Sequence, residues 1–277
     1  MRITGTTRVF LILGDPVAQV RAPEVFNHVF ERAGIDAVLV PAQVAPHELD
    51  TFVRHALLAR NIDGLWLAIP HKTALVPLLD RCDRLGRTAG AVNAARRHAD
   101  GSLEGALFDG VGFMQALDRF GVATRDRRVL LVGVGGGGVA IATSLAAAGV
   151  GRLALFDAVP GRTDVIAARL AQEFGAPVVS ADRADPGGYD VVINATPLGL
   201  KPGDPLPFDV ARVDRDATVV DILMKNQPTP LLRACQERGI AAHPGYEMLV
   251  QQIPLYLRFF GIEAEVDLDE VRALLAP

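Results

Sequence analysis

Lys72 is one of only three lysines in a chain whose other 25 strongly basic residues are arginines, and it closes the apolar run Leu65–Pro70, LWLAIP, after a proline and a histidine. Lysine can take up and return a proton, whereas arginine stays charged. At the end of a buried-looking strand, Lys72 is either an acid-base group or a solvated base closing a turn. A second chemistry-bearing stretch is VLLVGVGGGGVA, where Gly133, Gly135 and Gly138 fall in a G-x-G-x-x-G pattern between a strand and a helix. Such glycines let the chain turn tightly and let backbone N–H groups approach a pyrophosphate at the helix N-terminus. Gly136, Gly137 and Val139 complete the expected cofactor loop, and the alternative is a structural glycine turn. The next strand, RLALF, ends at Asp157, nineteen residues after Gly138. A carboxylate there accepts hydrogen bonds from a ribose diol and repels a 2'-phosphate, so NAD is expected over NADP, with nearby Arg162 blunting the discrimination.

These groups must be positioned by a scaffold, and the chain reads as alternating short apolar runs and amphipathic segments. Strands are expected over Arg8–Leu13, Ala37–Pro41, Gly64–Ile69, Val129–Val134, Arg152–Phe156, Val178–Ser180, Asp190–Asn194 and Thr218–Ile222. Helical patterns fall between most of them, as over Pro23–Ala33, Pro46–Ala59, Val139–Ala148 and Thr163–Phe174. This alternation implies an α/β chain with mainly parallel sheets and crossover helices. The 277 residues suffice for two cores, with a boundary at the helix opening at Asp109 and a return near Gly245.

Composition excludes several classes. A net charge of -4 without a basic stripe argues against nucleic acid. Cys82 and Cys235 are far apart and form no Cys-x-x-Cys, and the histidines show no metal spacing, so no metal is expected. No 18-residue apolar run or signal peptide is evident, which reads as a cytoplasmic protein with no membrane partner. Monomer and homodimer both remain open.

GDPVAQVRAP, IPHK, GAVN, FDGVGF, VGVGGGG, NATPLGL, DILMKNQPTPLL and PGYEMLVQQ, in this order, resemble the shikimate dehydrogenase family over about residues 14–261. The resemblance implies a substrate-binding catalytic domain of residues 1–108 plus 245–277 and an inserted Rossmann domain, residues 109–244, that binds NAD(P). Lys72 matches the family's catalytic lysine and Asp109 its catalytic aspartate. Asn93 and Gln252 match substrate contacts. Asn194, Thr196, Pro197, Ile222, Met224, Gly245 and Met248 match the nicotinamide side of the cofactor site. The variable slot before the lysine makes His71 a residue at the edge of the cleft.

The departures from the family are as informative. Two serines that hold the substrate carboxylate in the family are Val20 and Ala22 here; the asparagine and threonine before the catalytic aspartate are Leu107 and Phe108; those of the lysine string are Trp66 and Ala68; a tyrosine is Met224. Trp66, Phe108 and Met224 are therefore expected to line a more apolar substrate pocket. A hydrogen bond to a charged group contributes about 1.5 to 3 kcal/mol, so two lost hydroxyls correspond to roughly two to four decades of carboxylate affinity. Arg21, between them, is either a bidentate replacement or a surface arginine. The expected activity is reversible hydride transfer between a nicotinamide and a small-molecule secondary alcohol, on a cyclic hydroxy acid of the shikimate or quinate kind or a less polar relative. The alternative is a non-catalytic dinucleotide sensor, against which the retained Lys72 and Asp109 count. A Tyr-x-x-x-Lys enzyme is excluded, because Ala68 stands four before Lys72 and no tyrosine precedes a lysine at that spacing.

Overall fold

A computed structural model describes residues 2–275. The chain forms two compact units, one running to Phe108 and resuming at Leu249, the other Asp109–Met248. The second division falls inside a helix, four residues beyond the return expected near Gly245.

The first unit begins β1 (Arg8–Gly14), α1 (Ala22–Arg32), β2 (Ala37–Gln43), α2 (Leu49–Ala56), β3 (Ile62–Leu67), α3 (His71–Ala74), β4 (Arg81–Cys82), α4 (Arg84–Ala89), β5 (Ala94–Arg97) and β6 (Leu103–Ala106). Its sheet has the order β2-β1-β3-β5-β6-β4. β1 pairs in parallel with both β2 and β3, whereas β5 runs antiparallel between β3 and β6. Strands buried on both faces need no alternation of polar residues, and Phe10, Ile12, Leu13, Leu65, Trp66 and Leu67 are all buried. In α1, Val25, Phe26, Val29 and Phe30 recur at helical spacing and pack inward.

The second unit comprises α5 (Asp109–Phe120), β7 (Arg128–Val132), α6 (Gly136–Ala147), β8 (Arg152–Phe156), α7 (Arg162–Phe174), β9 (Val178–Ser180), β10 (Val191–Asn194), β11 (Thr218–Asp221), α8 (Pro230–Glu237), β12 (Ala241–Pro244) and the start of α9 (Tyr246–Phe259). α10 (Leu268–Leu275) then packs on α1 in the first unit. All strands of the second sheet are parallel, in the order β12-β11-β10-β7-β8-β9. The order reverses between β7 and β10, the kind of switch point where doubly wound sheets bind ligands. α6 is buried on nearly every side from Gly138 to Ala146, because its apolar residues run all round the helix. Among the described residues no helix is long and apolar enough to cross a membrane.

β8, β9 and the start of α5 have the bounds read from the sequence. The short strands β4, β5, β6 and β12 had no such reading, since segments such as AARR and LEGA carry no strand period.

Candidate active site

In the second unit the glycine turn follows from backbone geometry. Gly133 stands at φ +94°, where a Cβ would come 2.7 Å from the Ala195 carbonyl carbon. A Cβ on Gly138 would lie 2.0 Å from the Gly133 carbonyl oxygen, so only glycine lets α6 close against the end of β7. Gly135 caps α6 with no side-chain hydrogen bond and has open space where its Cβ would be. That leaves backbone N–H groups facing a gap suited to a pyrophosphate, so the residues present fit a dinucleotide.

Asp157 fixes the rim of this turn. Its Oδ2 accepts from Val134 N at 2.7 Å and its Oδ1 from Val159 N at 2.9 Å, while one Arg162 nitrogen lies 3.1 and 3.2 Å from the two oxygens. Burial pushes the carboxyl up, but the two backbone donors and Arg162 outweigh it and hold Asp157 below its usual range. Ile222, just past β11, reaches toward Gly137, where a Cβ would meet its side chain at 3.4 Å, and a Cβ on Gly245 would strike the Ile222 backbone at 2.3 Å. Met248 is buried beside them in sequence, and Met224 is half-buried.

Asn194 is inside the second unit rather than on its surface. Its Nδ2 donates to Asp221 Oδ1 at 2.9 Å, and its Oδ1 accepts from the Thr196 N–H and hydroxyl at 3.0 and 2.7 Å. With both ends of its amide so engaged, Asn194 braces the turn that carries Thr196 and Pro197. Asp221 in turn accepts from Thr229 Oγ1 at 2.6 Å and from Leu223 N at 3.3 Å. Sequence reading passed over Asp221 and Thr229; the only signal was two polar residues bracketing the DILMKNQPT loop. Burial raises the Asp221 carboxyl above its usual range despite help from Thr229, Leu223 and Asn194. A raised value means that the native state holds this proton more tightly than the unfolded chain, so the contribution is present at low pH and lost as pH rises through the native value. Asp221→Asn should therefore narrow its stability deficit, or gain on the parent protein, as pH is raised from 3.8, the ordinary carboxylate value, upward. Denaturant titrations that give a pH-independent difference would refute this.

In the first unit, Lys72 sits in the single-turn α3 directly after β3, half-buried, with its carbonyl accepting from Val92 N at 2.8 Å. His71 is not at an edge: it is fully buried, and its Nε2 lies 2.8 Å from the Val44 carbonyl. The turn bearing Lys72 is thus held on both sides. Asn93, 1% exposed, accepts from Phe108 N at 2.8 Å and donates to Gln252 Oε1 at 3.0 Å, while Tyr256 donates to the Asn93 carbonyl at 2.9 Å. This leaves the Gln252 NH2 group to donate elsewhere. Phe108 is half-buried against Tyr256 and Phe259. Asp109, the next residue, is buried at the start of α5 in the second unit.

Trp66 departs from the expected pocket position. It stacks on Tyr256 at 4.7 Å and Phe260 at 4.5 Å, with Phe10 and Phe26 edge-on at 5.2 and 5.1 Å. Strand alternation turns its ring onto the helix-covered face of the sheet, so Trp66 is core rather than lining. Ala22 is likewise buried, in the first turn of α1, and Val20 is half-buried.

The substrate-binding domain model of shikimate dehydrogenases matches residues 12–95. A shikimate dehydrogenase (NADP(+)) of Rubrobacter xylanophilus is 37% identical over 268 residues, 95% of this chain and 91% of its own. The chain belongs to the shikimate dehydrogenase family. Among solved structures, a shikimate 5-dehydrogenase of Listeria monocytogenes, in complex with shikimate and NAD, superposes with a TM-score of 0.87 at 25% identity over 100% of this chain and 99% of that one. A quinate dehydrogenase of Corynebacterium glutamicum in complex with NAD has a TM-score of 0.84 at 27% identity, covering 96% and 98%. The residues that depart from the family strings are Val20, Ala22, Trp66, Ala68, Leu107, Phe108 and Met224.

Proposed function

We propose that this chain is an NAD(P)-dependent oxidoreductase that moves a hydride reversibly between a nicotinamide and the secondary alcohol or ketone of a cyclic hydroxy acid or a less polar relative. The observation that carries the reading is the glycine turn after β7, where Gly133 at φ +94° and Gly138 leave no room for a Cβ and Asp157 holds Val134 N in place. When bound, the dinucleotide supplies or accepts the hydride.

Lys72 Nζ takes the hydroxyl proton during oxidation and returns it during reduction, and Asp109 is assigned to the same acid-base step by the family resemblance. Gln252, held by Asn93, orients a substrate hydroxyl through its NH2 group. Thr196, Pro197, Ile222, Met224, Gly245 and Met248 border the nicotinamide, and the buried Asn194 braces the turn that carries Thr196 and Pro197. The test is nicotinamide absorbance with NAD and NADP, each offered shikimate and quinate, using Lys72→Ala protein as the blank. Dinucleotide binding without Lys72-dependent turnover of any alcohol would overturn the reading in favour of a sensor.

NAD is the preferred form in this reading, although the Rubrobacter relative is named for NADP(+). A carboxylate held ionised by two backbone donors opposes a 2'-phosphate, and a single Arg162 nitrogen relieves that charge only in part. Asp157→Ala should raise the NADP-to-NAD ratio of kcat/KM by about tenfold or more, equivalent to at least ~1.4 kcal/mol. An unchanged ratio would remove Asp157 from cofactor choice.

A further inference from the structure

Arg8, Arg60 and the Arg96–Arg97 pair are far apart in the sequence and make no basic stripe, yet in the first unit they line one cavity of about 730 Å³. Sheet topology brings them together. Arg8 opens β1 and Arg60 stands just before β3, while β5 runs antiparallel to β3 and carries Arg96 and Arg97 back to the same end. Lys72 follows the opposite end of β3, whose 6 residues at ~3.3 Å each put roughly 20 Å between the two.

Two of these arginines are spent on the fold. Arg8 pairs with Asp63 and donates to the Phe260 carbonyl at 3.1 Å, and Arg96 pairs with Glu104 at 2.7 Å and donates to the Phe259 carbonyl. They satisfy carbonyls at the C-terminal end of α9, which have no N–H of the helix to accept from. His98 Nε2 shares the Glu104 carboxylate at 2.8 Å. Arg21, outside the cavity, is also committed, to Glu24 at 3.1 and 2.8 Å and to the Leu275 carbonyl at 3.3 Å. The other two arginines of the cavity are not so held. Arg97 is exposed and makes only long hydrogen bonds, 3.4 Å each, to the Gly101 and Leu57 carbonyls. Arg60 is exposed and engages no carboxylate or carbonyl among the described residues. Asp63 is the one carboxylate among the described lining residues, and Arg8 takes it.

The geometry points to this cavity as a second binding site, for a phosphate dianion, free or as the monoester of a small molecule, held by the guanidinium groups of Arg60 and Arg97. Two guanidinium groups without carboxylates repel each other across a shared recess, and a dianion between them relieves that charge. Their planar forks of N–H donors match phosphate oxygens two at a time. A recess of this size belongs to the range of small-molecule sites, which favours a metabolite over an extended macromolecular surface. Leu58, 61% exposed in the lining, offers an apolar contact to the organic part of an ester. The site stands on the first unit alone and does not depend on the oxidoreductase reading.

The test is calorimetric titration of the full chain with phenyl phosphate and with inorganic phosphate at about pH 8, where both are dianions, with ionic strength held constant by KCl. Saturable binding is expected in the parent protein, weakened about tenfold or more in Arg60→Ala/Arg97→Ala. The unliganded double variant should unfold at the parent's midpoint, since neither side chain holds an ion pair. Arg60→Lys/Arg97→Lys, which keeps the charge and loses the fork, should bind with intermediate affinity. Tighter binding of phenyl phosphate that Leu58→Ala reduces would identify an ester as the ligand, and equal binding of the two probes, indifferent to Leu58→Ala, would identify free phosphate. No saturable binding of either probe overturns the inference. So does binding that the Arg60→Ala/Arg97→Ala protein keeps, which would place the phosphate elsewhere, as on the glycine turn.

Discussion

Lys72→Ala is expected to lower kcat by about 10²- to 10⁴-fold, the usual contribution of a positioned acid-base group. The backbone around it should survive the change, because the turn is held by the His71 ring on the Val44 carbonyl and by Val92 N on the Lys72 carbonyl, neither of which involves the lysine side chain. The glycine turn and Asp157, proposed to hold the dinucleotide, lie in the other unit. Dinucleotide affinity, read by fluorescence titration, should therefore stay within a few-fold of the parent protein. Loss of dinucleotide binding on the same scale as kcat would show that Lys72 acts through the fold or the cofactor, not through the proton. Lys72→Arg serves as the sharper control, since it keeps the charge and removes the proton exchange; it should be as inactive as the alanine variant.

Trp66→Ala is expected to cost about 3 to 5 kcal/mol of stability, the range for removing a buried large aromatic. The loss would empty the centre of a cluster in which Trp66 touches Phe10, Phe26, Tyr256 and Phe260. These rings come from β1, α1, α9 and the residue following α9, so the cavity would loosen the sheet from the helices that cover it. Tyr256 also donates to the Asn93 carbonyl, which links this packing to the Asn93–Gln252 pair. Denaturant unfolding should show the loss, and Trp66→Phe should recover a large part of it. A pocket-lining role would give the opposite pattern, with stability unchanged and KM for the alcohol altered.

The two variants separate what each part of β3 does. Its interior supplies a ring to the core, and the turn at its end presents the lysine. A single strand can do both because alternate side chains face opposite sides while its C-terminal end opens onto the loop. The apolar replacements then differ in place: Trp66 fills the core and Ala22 is buried in the first turn of α1, whereas Val20 and Ala68 are half-buried.

The sequence by itself determined the class of fold and the chemistry-bearing stretches. Short apolar runs alternating with helical periods dictate parallel sheets, because crossover connections leave few other arrangements. The glycine spacing and the carboxylate ending the next strand dictate a dinucleotide turn, since both requirements are local to the backbone: a left-handed φ at Gly133 and the absence of a Cβ at Gly138. A lysine among arginines after an apolar run is legible for the same reason. What only the tertiary structure decided are properties of pairs distant along the chain. The antiparallel β5 between β3 and β6 depends on register, not on a period within AARR or LEGA. His71 is a core anchor because Val44, 27 residues earlier, brings its carbonyl there. Trp66 is core and Arg21 is occupied because α9 and α10, more than 180 residues later, return to cover them. Asn194, Asp221 and Thr229 form one buried network from three separate segments. Residue type states what a side chain can do; its partners, set by long-range packing, decide which of those capacities is left for function.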